Sequence, residues 1–132
     1  RELVVINKPS GLLTVSTEKE NEKTLYREVS DYEKTKHKSN KVFIINRLDK
    51  DTSGIVMFAK NQKIKKLFQD NWNELVKTRN YIAIVEGKTN TEGTIKSWLK
   101  ETKTFLTYSS NKENDGKLAI TTYKKIKNKK ER

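Results

Sequence analysis

Arg47 and Asp49 stand two residues apart in the segment Ile45-Asn46-Arg47-Leu48-Asp49-Lys50-Asp51-Thr52-Ser53-Gly54. In extended backbone, side chains two apart leave on the same side, so guanidinium and carboxylate project together while Leu48 turns toward apolar packing. A carboxylate beside a guanidinium is expected to stay ionised. Ionised and anchored, it serves as a nucleophile or a base. The same residues in a plain surface turn make a salt bridge or a turn cap, and local physics permits either. Asp51, Thr52 and Ser53 are suited to bond their own backbone and stiffen the turn. Gly54 supplies a tight turn or a close approach to a ligand. Tyr81 is a further candidate. Its ring either stacks on an unpaired base or fills the half-buried face of a strand.

Such groups need a rigid base. The apolar runs 42–45 and 55–59 on either side of the segment read as buried strands. Upstream, residues 3–6 read as a strand, 7–11 as a turn and 12–15 as a short extended piece, followed by a polar loop over 16–24. Thr24 is placed to cap a helix starting near Leu25, with Leu25, Val29 and Tyr32 in helical register. Residues 34–41 read as a basic connector. Downstream, Asn61 caps a helix over 62–76 with Ile64, Leu67, Phe68, Trp72 and Leu75 on its apolar face. A strand over 79–85, a short strand over 94–99 and a hairpin of 105–109 with 118–126 follow, its turn near Asn114-Asp115-Gly116. The order predicts an α+β fold: a mixed, mainly antiparallel sheet with flanking helices.

The 132 residues fit one domain. Apolar residues make up 33% and charged residues 35%, a wet composition, but the strand-like runs argue against wholesale disorder. No apolar stretch is long enough to span a membrane. With no cysteine and His37 as the lone histidine, disulfides, thiolate chemistry and a structural zinc site are excluded. The glycines are scattered singly, with no phosphate-binding or dinucleotide fingerprint. The formal charge of +12 favours a polyanionic partner, nucleic acid first and an anionic membrane surface second. Only five of the basic residues are arginines, the better bidentate phosphate readers, which singles out Arg47 between its two strands.

Three motifs occur in a telling order: Asn7-Lys8-Pro9-Ser10-Gly11 after an apolar strand, Arg47 to Gly54 before Ile55-Val56-Met57-Phe58-Ala59-Lys60, and Tyr81-Ile82-Ala83-Ile84-Val85-Glu86-Gly87. In this the chain resembles the RluA-type family of RNA pseudouridine synthases. Gly116-Lys117-Leu118-Ala119-Ile120-Thr121-Thr122-Tyr123 is similar to the strand before that family's last motif, so the resemblance covers nearly the whole chain. It implies isomerisation of uridine to pseudouridine in structured RNA, rRNA or tRNA, without metal or organic cofactor. It implies a catalytic set of Asp49, Tyr81 and Arg47: Asp49 attacks sugar or base, Tyr81 stacks near the base, and Arg47 holds the everted nucleotide. Asn46, Lys50 and Thr52 are the candidates for holding substrate. Lys8 and the first motif are expected to be scaffold or rim. Asp49, Arg47 and Tyr81 should share one concave, basic cleft.

Two departures from the family pattern stand out. Asn46 occupies the place of a histidine; it keeps a hydrogen-bonding amide but carries no proton at neutral pH. A motif of Thr-Gly-Arg-x-His-Gln-Ile-Arg type, which would supply an arginine beside the carboxylate and a pocket wall, is not reached. Residues 1–132 therefore read as a single, partial catalytic domain, of a cytoplasmic monomer with no membrane association. The rival expectation is a non-catalytic RNA-binding module on the same fold.

Overall fold

The computed structural model describes residues 2–16, 23–102 and 107–127. The chain divides into two compact units, Arg1–Tyr81 and Ile82–Arg132.

In the first unit the run Leu-Val-Val-Ile-Asn-Lys forms β1 (Leu3–Lys8). It pairs antiparallel with β3 (Gly54–Ala59), which pairs on its other side with the two-residue β2 (Phe43–Ile44). The register sets Val4 opposite Phe58 and Ile6 opposite Val56, so these four share one face. Against that face packs α1 (Leu25–Lys36). Leu25 and Val29 join Val42, Val56 and Phe58 in the buried core, flanked by Val4, Ile6, Leu12, Ile44 and Leu48. Removing a side chain the size of Val56 or Phe58 from water contributes about 1.5–3 kcal/mol, and both are fully buried. The opposite face is barer: Val5 and Ile55 are exposed.

The expected caps form. Thr24 accepts from the Arg27 N–H at 3.3 Å, and Asn61 from Ile64 at 2.9 Å. Several boundaries move. α1 runs on to Lys36, into the stretch read as a connector. Tyr32 faces solvent, and the third buried position of the helix is Glu33, because 25, 29 and 33 follow the i, i+4 row of one helix face. The helix expected over 62–76 breaks in two, α2 (Gln62–Asp70) and α3 (Trp72–Leu75). Asn71 causes the break: its backbone N–H and its side-chain amide both donate to the Leu67 carbonyl, at 3.1 and 3.0 Å, ending α2 as a C-cap does.

Residues 79–85 are not a strand. Ile82 and Ile84 are 88% and 100% exposed. β-branched residues favour extended backbone, but a strand exists only where a neighbour completes the ladder, and among the described residues this run has none.

The second unit is a three-stranded antiparallel sheet. β4 (Glu92–Glu101) lies between β5 (Thr107–Ser110) and β6 (Lys117–Lys124). The hairpin expected between the last two strands is therefore corrected. Both pair with β4 instead, Trp98 facing Ser110 on one side and Leu118 on the other. At ten residues, β4 outlasts the strand read over 94–99 and offers both edges. The turn into β6 uses Asn114, whose side-chain oxygen accepts from the Gly116 N–H at 2.7 Å, and Asp115 pairs with Lys100. Parts of the expected loop 16–24, of strand 105–109 and of the Lys-rich tail lie outside the described residues. The α+β class with antiparallel pairing and helices beside the sheet stands.

Candidate active site

The segment that carries Asp49 leaves β2 and returns as β3, and each step is pinned. The Ile45 N–H donates to the Met57 carbonyl at 3.0 Å. Asn46 continues the pairing with its side chain: its Nδ2 donates to the Ile55 carbonyl at 3.1 Å, and its Oδ1 accepts from the Met57 N–H at 2.8 Å. The carboxamide thus stands in for one more ladder residue and holds the loop's entrance against its exit. Arg47, Leu48 and Asp49 then alternate exposed, half-buried and exposed, with Leu48 packed on the core. Arg47 and Asp49 share the outer side, as their spacing requires. The Thr52 N–H donates to the Asp49 carbonyl at 3.1 Å, closing a four-residue turn. Gly54 leaves the turn at φ +137°, a conformation open to glycine and strained for other residues.

A second segment braces this loop from below. Lys8 continues the inward row of Val4 and Ile6, and the alternation buries it completely. Its ammonium has three N–H donors, and three carbonyls take them: Pro9 at 3.0 Å, Leu12 at 2.6 Å and Lys50 at 2.9 Å. The Gly11 N–H also donates to the Lys50 carbonyl, at 2.9 Å, from a left-handed φ of +85°. The Ser10 hydroxyl donates to the Asp51 carbonyl at 2.7 Å. The Thr14 hydroxyl donates to the Leu48 carbonyl at 2.6 Å and accepts from the Leu48 N–H at 3.2 Å. A buried charge is tolerated where its donors are all met, so Lys8 acts as a cross-link between first turn and loop. Lys8 is scaffold, as its motif implies; Thr14 is a support that the sequence reading leaves in a plain extended piece. The burial of Lys8 was signalled by its place in the 4-6-8 row; nothing in the sequence signals the role of Thr14.

The buried Glu33 anchors the far end of β3. Lys36 lies 2.6 Å from one of its oxygens and Lys60 2.9 Å from the other. Hydrogen bonds from Lys36 and then Lys60 hold its carboxyl below the usual glutamate range, outweighing the opposing push of burial.

The candidate residues are not all brought together. Among the described residues no ion pair joins Arg47 to Asp49, so the salt-bridge alternative is not what the turn is for. Lys50 and Thr52 sit half-buried in the turn beyond Asp49. Tyr81 is 56% exposed in the irregular stretch that follows α3. Its hydroxyl lies 3.5 Å from Arg79, whose guanidinium is 5.9 Å from the centre of the Trp72 ring. Two recesses bear on the expected basic cleft. One recess, about 200 Å³, is lined by Ile44, Ile45, Lys65, Phe68, Gln69 and Trp72. Another, about 490 Å³, runs along α1 by Tyr26, Arg27, Ser30, Asp31 and Lys34. Neither includes Arg47, Asp49 or Tyr81. Among the described residues no strand pairs with the run 79–85, so no ladder seats Tyr81.

The sequence model of the family described as RNA pseudouridylate synthase matches residues 2–132. The chain belongs to this family. It is 31% identical over 95% of its length to a ribosomal large subunit pseudouridine synthase C of Rickettsia bellii, of which it covers 41%. It is 32% identical over 75% of its length to a tRNA pseudouridine synthase C of Haemophilus ducreyi, covering 40% of that protein. In fold it is similar to human RNA pseudouridylate synthase domain containing 4, with a TM-score of 0.60 over 93% of this chain and 50% of that one at 17% identity. The RluA-type resemblance read from the motifs is thereby upheld. The chain spans about two-fifths of the length of these curated relatives.

Proposed function

We propose that the complete protein isomerises uridine to pseudouridine in structured RNA, ribosomal or transfer, with Asp49 as the residue that acts on the nucleoside. The observation that carries this reading is the bracing of the Asp49 loop. Asn46 closes it against β3, and Lys8, Ser10, Gly11 and Thr14 tie its inner side to the first turn. A surface turn with no task needs no such support. Membership of a pseudouridylate synthase family supports reading the braced carboxylate as the group that acts on uridine. Arg47, on the same side, steadies the phosphates around the extruded nucleotide, and Lys50 and Thr52 flank it. Tyr81 stacks on the target base once its segment is seated. Chemistry on a base requires that the base leave its stack for a walled pocket, so turnover belongs to the complete protein. No cofactor or metal is invoked, and the proposed working form is a cytoplasmic monomer.

The test is incubation of the complete protein with unmodified rRNA and tRNA transcripts, followed by carbodiimide labelling, which marks pseudouridine at single sites. New label should depend on Asp49 and vanish in Asp49→Ala while RNA still binds. Label that persists in Asp49→Ala would refute the assignment. One observation favours a second reading, a non-catalytic RNA-binding module: Asp49 is exposed, and no described residue closes a pocket over it. That reading expects tight RNA binding and no label from the wild type.

A further inference from the structure

Thr14 lies beyond the first motif and carries none of the roles assigned from the sequence. Its side chain is 2% exposed, and its hydroxyl makes two bonds to one residue, donating to the Leu48 carbonyl and accepting from the Leu48 N–H. Leu48 stands between Arg47 and Asp49. Its N–H belongs to the peptide plane shared with Arg47, and its carbonyl to the plane shared with Asp49. One hydroxyl therefore fixes both planes and with them the directions in which the guanidinium and the carboxylate leave the chain. β2 has ended at Ile44, so Leu48 has no ladder neighbour there, and Thr14 takes that neighbour's place. Thr14 is itself held. Its carbonyl accepts from the Tyr26 N–H at 3.0 Å, and that of Leu13 from Leu25 at 2.8 Å. A continuous line of bonds thus runs from the first turn of α1 through Thr14 to the Asp49 loop.

We infer that Thr14 is a positioning residue for Asp49, its hydroxyl setting the carboxylate's aim at the nucleoside. The inference rests on the proposal that Asp49 acts on uridine, and adds a residue that touches no substrate. Valine has the shape of threonine without the hydroxyl; serine keeps the hydroxyl and loses a methyl.

In the complete protein, Thr14→Val should lower kcat by about 10²-fold, the scale of a small misplacement of a reacting group. KM and RNA affinity should stay near the wild-type values. Thr14→Ser should recover most of the rate. Amide hydrogen exchange at Leu48 should speed up in Thr14→Val and stay slow in Thr14→Ser. A merely structural role would lower thermal stability in both variants and leave kcat per folded molecule unchanged. Should Thr14→Val not fold, Thr14→Cys, with its weaker hydrogen-bonding thiol, should fall clearly below Thr14→Ser in kcat. Equal rates for the two would overturn the inference. So would a Thr14→Val enzyme of normal kcat beside a wild type that Asp49→Ala silences; the reading of Asp49 would then survive alone. A wild type that makes no pseudouridine would remove both.

Discussion

At the scale of single residues, the Asp49 loop is an exposed feature on a buried support. Lys8 is the clearest case, an ammonium with no exposed surface whose three donors meet three carbonyls. Lys8→Met keeps the stem and removes the donors; the Lys50 carbonyl keeps the Gly11 N–H, while those of Pro9 and Leu12 lose their ammonium partner. It is expected to destabilise the fold by roughly 3 kcal/mol, read as a lower denaturant midpoint with an unchanged slope. Gly54 tests the backbone instead. An added Cβ would meet nothing nearer than Leu48 Cδ1 at 3.5 Å, so space is not the obstacle; φ is. Gly54→Ala should cost about 2 kcal/mol of stability from strain alone, and an unchanged midpoint would show that the loop relaxes around it. Asn46 answers the departure from the family's histidine: its amide is spent on the backbone of β3, which is support. Asn46→Asp would keep the acceptor for Met57 and set a carboxylate oxygen against the Ile55 carbonyl.

At the scale of elements, α1 is tied to the end of β3 by Glu33 with Lys36 and Lys60. The folded carboxyl is held below its unfolded value, so this contribution is present in full above the ordinary glutamate range and is lost as pH falls through the depressed folded value. Glu33→Gln should lower stability at neutral pH by on the order of 2 kcal/mol, less than for a wholly buried pair because both lysines reach water. The gap from wild type should shrink in acid; a gap independent of pH would contradict the ion-pair account. Elements that depend on their own residues were legible in the sequence. Continuous apolar runs gave β1 and β3, Thr24 and Asn61 gave the helix starts, and the two-residue spacing of Arg47 and Asp49 gave the inward turn of Leu48. Features that depend on a partner were not. The burial of Glu33 needs two lysines, one from a different element, the central place of β4 needs two neighbours, and the run 79–85 has strand-forming residues but no described strand to pair with. The site follows the same division: the direction of Arg47 and Asp49 could be read, but the seat of Tyr81 and the supports from Lys8 and Thr14 are tertiary.

At the scale of the whole molecule, the +12 charge belongs with a family that acts on RNA. If phosphates supply most of the affinity, RNA binding should weaken by about 10³-fold between roughly 50 and 200 mM salt, measured by filter retention or fluorescence anisotropy. A flat response would point to binding through base contacts alone. Charge, however, gives encounter and not chemistry. The central claim is that the carboxylate of Asp49 rearranges uridine, and that rearrangement moves the glycosidic bond to C5 and expels the hydrogen there. RNA tritiated at uridine C5 reports this directly. The complete protein should release tritium to water, and Asp49→Asn should release none while holding the same RNA. Release by the Asp49→Asn protein at the wild-type rate, or none from the wild type on any rRNA or tRNA, would contradict the account.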